Sequence, residues 1–338
     1  MTCAEIDRII RDEAFPDAPG EIELYETHAS WVILTAHFAF KIKKPLRYSF
    51  LDFSTLEKRR LYCRRELRLN RRFAREVYLE VLPVREKNGR LKIGGKSGVI
   101  VDYALKMKKL DNRLRMDFLL KNENVDVKRL ERLAAQLADF HKNAPATRRR
   151  ITQKKFQNDF ADLRVVLPFI KEKFGEKSAA QLEAAIDFSN QFLKKMWPRI
   201  SERKRAGFFI DGHGDLHSRN IFLYKMPVIF DCIEFNDDFR RLDVLNELAF
   251  FCMDLEHFGR ADLSEKFMQF YEKDYSVILQ EADRLLFQYF KMYRANVRLK
   301  VYALKAAQGE KDLSDIKAYL DQMLGYCSEL EKAFSVKK

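Results

Sequence analysis

Three short apolar runs, Phe208–Ile210, Ile221–Tyr224 and Val228–Phe230, crowd around polar residues and constrain the backbone more than any other part of the chain. Each has the length and composition of a buried strand. Between the second and third, Lys225, Met226 and Pro227 leave room only for a tight turn, which predicts an antiparallel hairpin. In a hairpin the start of the first strand faces the end of the second. Asn220, just before one strand, and Asp231, just after the other, are therefore expected to meet. An amide oxygen and a carboxylate so placed form a hard-oxygen site that suits Mg²⁺.

The polar run itself reads His213-Gly-Asp-Leu-His-Ser-Arg-Asn220. Asp215, five residues before Asn220 on the same irregular loop, stands where it can accept a proton from an attacking hydroxyl. This is the order of a kinase catalytic loop, in which a base, a metal-binding amide and a metal-binding carboxylate follow one another. A zinc site on His213 and His217 is disfavoured, because Gly214 and the loop-like neighbours oppose a helix presenting both rings and no Glu follows His213.

Elsewhere the pattern changes from strands to helices. Residues 21–25, 31–35 and 38–44 read as strands, 54–73 as a helix with Ser54 as N-cap and Glu57 completing a capping box, and 77–85, 90–94 and 99–107 as further strands, two of them joined through Asn88-Gly89. Beyond Lys109, helices are expected over 127–142, 156–174, 178–203, 243–258, 261–279, 281–306 and 312–334. The expected fold class is α+β: a small antiparallel-sheet lobe over 1–107, a hinge at 108–112 and a large helical lobe over 113–338.

With Gly214 after the His and a second His at 217, the motif resembles the aminoglycoside phosphotransferase family, which includes choline and homoserine kinase relatives of the protein-kinase fold. Asp231-Cys-Ile-Glu-Phe-Asn236, Arg240-Arg-Leu-Asp243, Thr27-His-Ala-Ser-Trp31, Phe40-Lys-Ile-Lys-Lys-Pro45 and Phe50-Leu-Asp-Phe-Ser-Thr-Leu-Glu57 resemble an uncharacterised bacterial subgroup of it. The resemblance implies a two-lobed protein-kinase-like fold and an ATP- and Mg²⁺-dependent transfer of the γ-phosphate to a hydroxyl of a small molecule. It assigns Asp215 as the base and Asn220 and Asp231 as metal ligands. Lys41 becomes the phosphate lysine with Glu66 as its partner, although Lys43 shares its strand face and stays an alternative. The protein-kinase glycine-rich loop is missing, so Ser30 and nearby amides are the candidate phosphate donors, with the adenine near Met107. His213 is expected to pack beneath the loop and bond backbone, with His217 beside it. Asp243 would tie the loop to the helix it starts, and Glu234 would reach acceptor or metal. A non-catalytic nucleotide-binding module, or an enzyme that modifies protein or transfers AMP, remains open on the same residues.

Composition limits the partners. The chain carries 63 Lys and Arg against 50 Asp and Glu, a formal charge of +13. The basic residues are scattered along helices such as 58–75 rather than gathered beside stacking aromatics, which argues against nucleic acid. Around the motif the sign reverses: Asp231, Glu234, Asp237, Asp238, Asp243, Glu247, Asp254 and Glu256 face only Arg240 and Arg241, a weak pointer to a cationic acceptor. Cysteines at 3, 63, 232, 252 and 327 show no paired spacing, and no apolar stretch approaches 18 residues. A cytoplasmic protein with neither a leader nor a membrane span is the expectation.

Overall fold

The computed structural model describes residues 1–48, 51–309 and 312–335; Phe50 of the Phe50–Glu57 stretch lies outside them. In chain order the elements are α1 (Cys3–Arg11), β1 (Glu23–Glu26), β2 (Ser30–Leu34), β3 (Phe38–Lys43), the short pair β4 (Arg47–Tyr48) and β5 (Leu51–Asp52), α2 (Leu56–Asn70), β6 (Tyr78–Lys87), β7 (Arg90–Ile93) and β8 (Val99–Lys108). Then come α3 (Met116–Lys121), α4 (Val127–Asn143), α5 (Gln153–Ala161), α6 (Leu167–Arg205), β9 (Phe209–Asp211), β10 (Ile221–Phe222), β11 (Val228–Ile229), α7 (Asp237–Arg240) and β12 (Arg241–Asp243). The chain ends in α8 (Val244–His257), α9 (Ala261–Asp274), α10 (Glu281–Ala307) and α11 (Ser314–Ser335). The fold is α+β, with two compact units. One comprises Met1–Arg115 and Asn220–Arg240, the other Met116–Arg219 and Arg241–Lys338. Among the described residues no helix is long and apolar enough to cross a membrane.

The first unit is built on an antiparallel sheet in the order β1-β2-β3-β8-β6-β7. Strand alternation gives β3 two faces. Phe40 and Ile42 bury against Ile33, Val84, Ile93 and Ala104, covered by Ile6 and Ile9 of α1. Ala39 faces the other way, onto Leu105, Met107, Tyr78 and Leu67 of α2, with Val228 and Phe230. Lys41 and Lys43 fall on that second face, one strand period apart. Helix α1 escaped the sequence reading, although Thr2 and Glu5 cap it reciprocally.

The start of α2 is shifted by one residue. Thr55, rather than Ser54, accepts from Lys58 N–H, because the Ser54 amide and hydroxyl both donate to Asp52 Oδ1. The hairpin pairs as expected, Ile221 opposite Ile229 and Phe222 opposite Val228. It is shorter than read, because Leu223 N–H turns away to Leu114 O.

In the second unit Gly175, at φ +86°, breaks the helical path where the sequence placed a boundary. The reading missed a second break, at 162–166: Pro168 in the first turn of α6 has no N–H to give, so a helix arriving from residue 153 stops short of it. Strand β9 finds a partner that was not foreseen, β12, with Phe209 opposite Asp243. Arg203, fully buried near the end of α6, binds both Asp243 oxygens at 2.8 Å, Asp283 Oδ1 at 3.1 Å and Val277 O at 2.7 Å. Removing one member of a buried ion network costs about 3–5 kcal/mol, because its partners stay buried without compensation. Arg203→Met is therefore expected to lower stability by about that amount in urea unfolding; a loss below ~1 kcal/mol would show the network to be dispensable.

Candidate functional site

The first unit holds a buried ion network on the second face of its sheet. Glu66, on α2 and fully buried, divides its carboxylate: Oε1 receives Lys41 Nζ at 2.8 Å and Oε2 receives Lys43 Nζ at 2.6 Å. Each lysine reaches one further carboxylate in the segment after the hairpin. Lys41 Nζ lies 2.8 Å from Asp231 Oδ1, and Lys43 Nζ lies 2.5 Å from Glu234 Oε1. Burial alone pushes Glu66 upward, but the two ammonium groups hold its carboxyl below its ordinary value.

The two lysines differ in accessibility. Lys43 is 1% exposed, Lys41 16% and Asp231 41%. Glu234, expected at acceptor or metal, is spent on Lys43.

Two residues the sequence reading passed over position Asp231. Tyr78 Oη accepts from the Asp231 amide at 3.0 Å, and Asn70 Oδ1 from the Cys232 amide at 2.8 Å, while Asn70 Nδ2 donates to Glu66 O. Held this way, Asp231 adopts φ +62°. That left-handed conformation costs a non-glycine residue about 1–2 kcal/mol. On the hairpin, Phe230 N–H donates to Asn220 O at 3.0 Å, so Asn220 stands opposite Phe230, one residue before Asp231, at the open end of the β10-β11 pair.

Ser30 pairs with Lys43 across β2 and β3; its amide donates to Thr27 Oγ1 and its side chain is buried. Met107, opposite Ala39 on β8, belongs to the apolar cluster beneath the same sheet face.

In the second unit the loop from Gly212 to Ser218 hangs from one face of α8. Residues 243, 247, 250 and 254 recur at helical spacing, and each serves a nearby group. Asp243 caps the helix through Leu245 N–H and receives Arg203. Glu247 Oε1 accepts from the amides of His213 (2.5 Å) and Gly214 (3.2 Å). Phe250 packs against His217, their ring centroids 5.5 Å apart, and Asp254 Oδ2 accepts from Ser218 N–H at 2.8 Å. A Cβ at Gly212 would fall 1.9 Å from Glu247 Oε2, so close an approach needs glycine.

His213 is fully buried and its Nδ1 accepts from the Asp215 amide at 3.3 Å. His217 Nε2 lies 3.3 Å from Asp215 Oδ2, and Asp215 keeps 38% of its side chain exposed. Its enclosure works against ionisation but is outweighed by His217, with Arg298 and His213 assisting, and the carboxyl sits well below the usual range. From α10, Arg294 Nη1 donates to Gly214 O at 3.3 Å and Nε to Asn246 Oδ1 at 2.6 Å. Neither Glu247 nor Arg294 had a local sequence signal, since their partners lie 34 and 80 positions away.

Residues 48–282 match the family described as "Phosphotransferase enzyme family". Uncharacterized proteins from Mycobacterium bovis and Mycobacterium tuberculosis are 30% identical over 311 residues, which cover 90% of this chain and 58% of theirs. The chain thus spans a little over half the length of those relatives. Its fold is similar to that of a choline kinase from Cryptosporidium parvum, with a TM-score of 0.59 and 11% identity over 99% of this chain and 97% of that one. A thermostable mutant of an aminoglycoside phosphotransferase gives 0.54 and 11% over 96% and 98%. The choline kinase LicA from Streptococcus pneumoniae gives 0.54 and 12% over 96% and 99%.

Glu247 is expected to make the second unit sensitive to acid. Burial opposes its charge, but His141 and the His213 amide bring its carboxyl down from 4.5 to about 2. A carboxyl that titrates lower when folded stabilises fully above its unfolded value and loses that contribution as pH falls toward the folded one. Stability in urea is expected to drop between about pH 4.5 and 2 more steeply in the wild type than in Glu247→Gln. Equal slopes would remove Glu247 as the cause.

Proposed function

Since this chain belongs to the phosphotransferase enzyme family, we propose that it moves the γ-phosphate of Mg²⁺-ATP onto a hydroxyl of a small molecule. The observation that carries this reading is Lys41 Nζ held between Glu66 and Asp231 at 2.8 Å from each. An ammonium has three donors, so one N–H remains for a phosphate oxygen. Glu66 keeps the ammonium at the exposed edge of the network, and Lys43 keeps Glu66 in place.

Asn220 and Asp231 would hold the metal. Their oxygens are hard donors, and Asp231 is accessible on a backbone that Tyr78 fixes. Among the described residues no three His, Cys, Asp or Glu side chains form a metal cage. That suits Mg²⁺, which commonly takes one or two protein oxygens and completes its shell with phosphate and water. Bound there, the ion would neutralise charge on the β and γ phosphates.

Asp215 serves as the base. It is ionised at neutral pH and anchored by His213 and His217, so it can orient the acceptor hydroxyl and take its proton. The hydroxyl oxygen forms a bond to the γ-phosphorus while the bond to the β–γ bridging oxygen breaks, and the nucleoside diphosphate leaves. Positioning and charge stabilisation supply most of the rate in such a reaction. Ser30, beside Lys43, and the backbone near Met107 are the further nucleotide contacts in this reading.

The test uses ATP labelled at either the γ or the α phosphate, incubated with Mg²⁺ and a library of small alcohols. Label is expected in a non-nucleotide product only from the γ position, and Asp215→Asn should lower turnover by about 10²–10⁴-fold. Transfer from the α position, or no turnover of Mg²⁺-ATP under any condition, would sink the proposal.

A further inference from the structure

The acidic run from Asp231 to Glu256 suggested a cationic acceptor, but the structure has most of those carboxylates engaged. In the second unit Asp243 is taken by Arg203, Glu247 by two loop amides, and Asp254 by Ser218. Glu256 receives Lys291, Ser264 and Tyr326. In the first unit Asp231 and Glu234 hold lysines, and Asp237 holds Arg65 and Arg240.

Among the described residues, the cation beside the Asp215 loop has no direct ion pair, although Asp254 and Asp215 act on it through space. Arg298, partly exposed on α10, has no carboxylate within ion-pair distance among the described residues. It donates Nη2 to Tyr302 Oη at 2.9 Å and Nε to Tyr319 Oη at 3.4 Å, and its guanidinium lies 4.9 and 5.5 Å from those two ring centroids. Of five N–H groups, three remain. The tyrosines fix the plane of the group without neutralising it.

Its place relative to the base follows from the helix. Arg294, Arg298 and Tyr302 are spaced four apart and share a face of α10. The loop runs along that face, for Arg294 holds Gly214 O and Arg219 lies 6.0 Å from the Tyr302 ring. Asp215 follows Gly214, and Arg298, one turn along the same face, is near enough to act on the Asp215 carboxyl electrostatically. Arg219 is 44% exposed and only loosely engaged, 3.9 Å from each of Asp117 and Asp315. Asp117 also accepts from Phe118 N–H, and Asp315 lies 3.8 Å from His257.

We propose that Arg298, assisted by Arg219, binds an anionic group of the acceptor, so that the substrate is a small hydroxylated carboxylate or phosphomonoester rather than an alkylammonium alcohol. The inference rests on Asp215 acting as the base in the reaction proposed above. A carboxylate or phosphate would accept the remaining N–H groups through charge-assisted bonds. A neutral polyol would meet them with weaker acceptors, and a quaternary ammonium group would meet like charge. Because Arg298 acts on the base's carboxyl, the reacting hydroxyl and the anion belong to one small molecule.

The experiment offers the wild type four acceptors of similar size: glycerate, glycerol phosphate, glycerol and choline. Transfer of γ-label is measured, and the affinity of each compound is measured separately by calorimetry. Either anion is expected to exceed glycerol at least tenfold in kcat/KM, and the better of the two identifies carboxylate or phosphate as the group read. Arg298→Met should raise KM for that anion by about 10–100-fold, well beyond whatever loss it shows with glycerol through the Asp215 carboxyl, with Arg298→Lys recovering part of the anion-specific loss. Arg219→Gln, at an exposed position, is expected to act in the same direction more weakly and serves if the Arg298 variants fold poorly. Preference for choline or glycerol, or an equal loss for all four compounds in the variants, overturns the inference. Should none of the four compounds accept phosphate, calorimetry still decides this point, while the proposed function stands or falls on the wider alcohol library. Anions binding wild type and not Arg298→Met would support it, and equal binding would refute it.

Discussion

Glu66 and its two lysines are the interaction on which the first unit is organised. A carboxylate with no exposed surface is tolerable only because each oxygen meets an ammonium, and those ammonium groups project from the face of β3 opposite Phe40 and Ile42. Strand alternation places two lysines on one face, and the length of α2 carries Glu66 to them. Because each lysine also reaches one carboxylate of the segment after the hairpin, the central strand, the helix and that segment are held as one electrostatic assembly. Removing any member leaves charge buried without compensation, a larger penalty than the network's net contribution to stability.

The second unit solves a similar problem with a helix face. The loop that carries Asp215 is irregular, so its amides lack partners within regular structure and must find them elsewhere. Helix α8 provides Glu247 and Asp254 at helical spacing, and α10 provides Arg294 for a loop carbonyl. Gly212 permits the close approach of Glu247. With the loop backbone satisfied in this way, His213 and His217 hold Asp215 from two sides. The accessible groups differ in kind between the two units: an ammonium and a carboxylate in the first, and a carboxylate and an arginine with unused donors in the second.

Local chemistry was legible wherever the responsible residues are near in sequence. The hairpin followed from two apolar runs and a three-residue gap, and the helix boundary at Gly175 from an interruption in periodicity. The same local reasoning misplaced the α2 cap, since Ser54 and Thr55 are both good caps and only the competing Asp52 carboxylate separates them. Lys41 was preferred to Lys43 on the family pattern, since strand periodicity alone puts both on one face and their difference lies in the second carboxylate each finds. The acidic run was misjudged for a related reason: a count of charges along the chain omits partners that arrive from elsewhere, such as Arg203 and Lys291.

By itself the sequence determined the order of Asp215, Asn220 and Asp231 and most of the strands and helices around them, and so the fold class, because these depend on periodicity, turn geometry and short spacings; the family came from the resemblance of its motifs. Tertiary structure alone decided that Glu66 serves two lysines, that Tyr78 and Asn70 set the conformation at Asp231, and that Glu247 suspends the loop of Asp215. It also decided that most of the acidic run is engaged by cations or loop amides while Arg298 keeps donors to spare. Each of these is a hydrogen bond or ion pair between groups far apart in the chain, and the strength of such a contact comes from burial and distance, which only the folded backbone supplies.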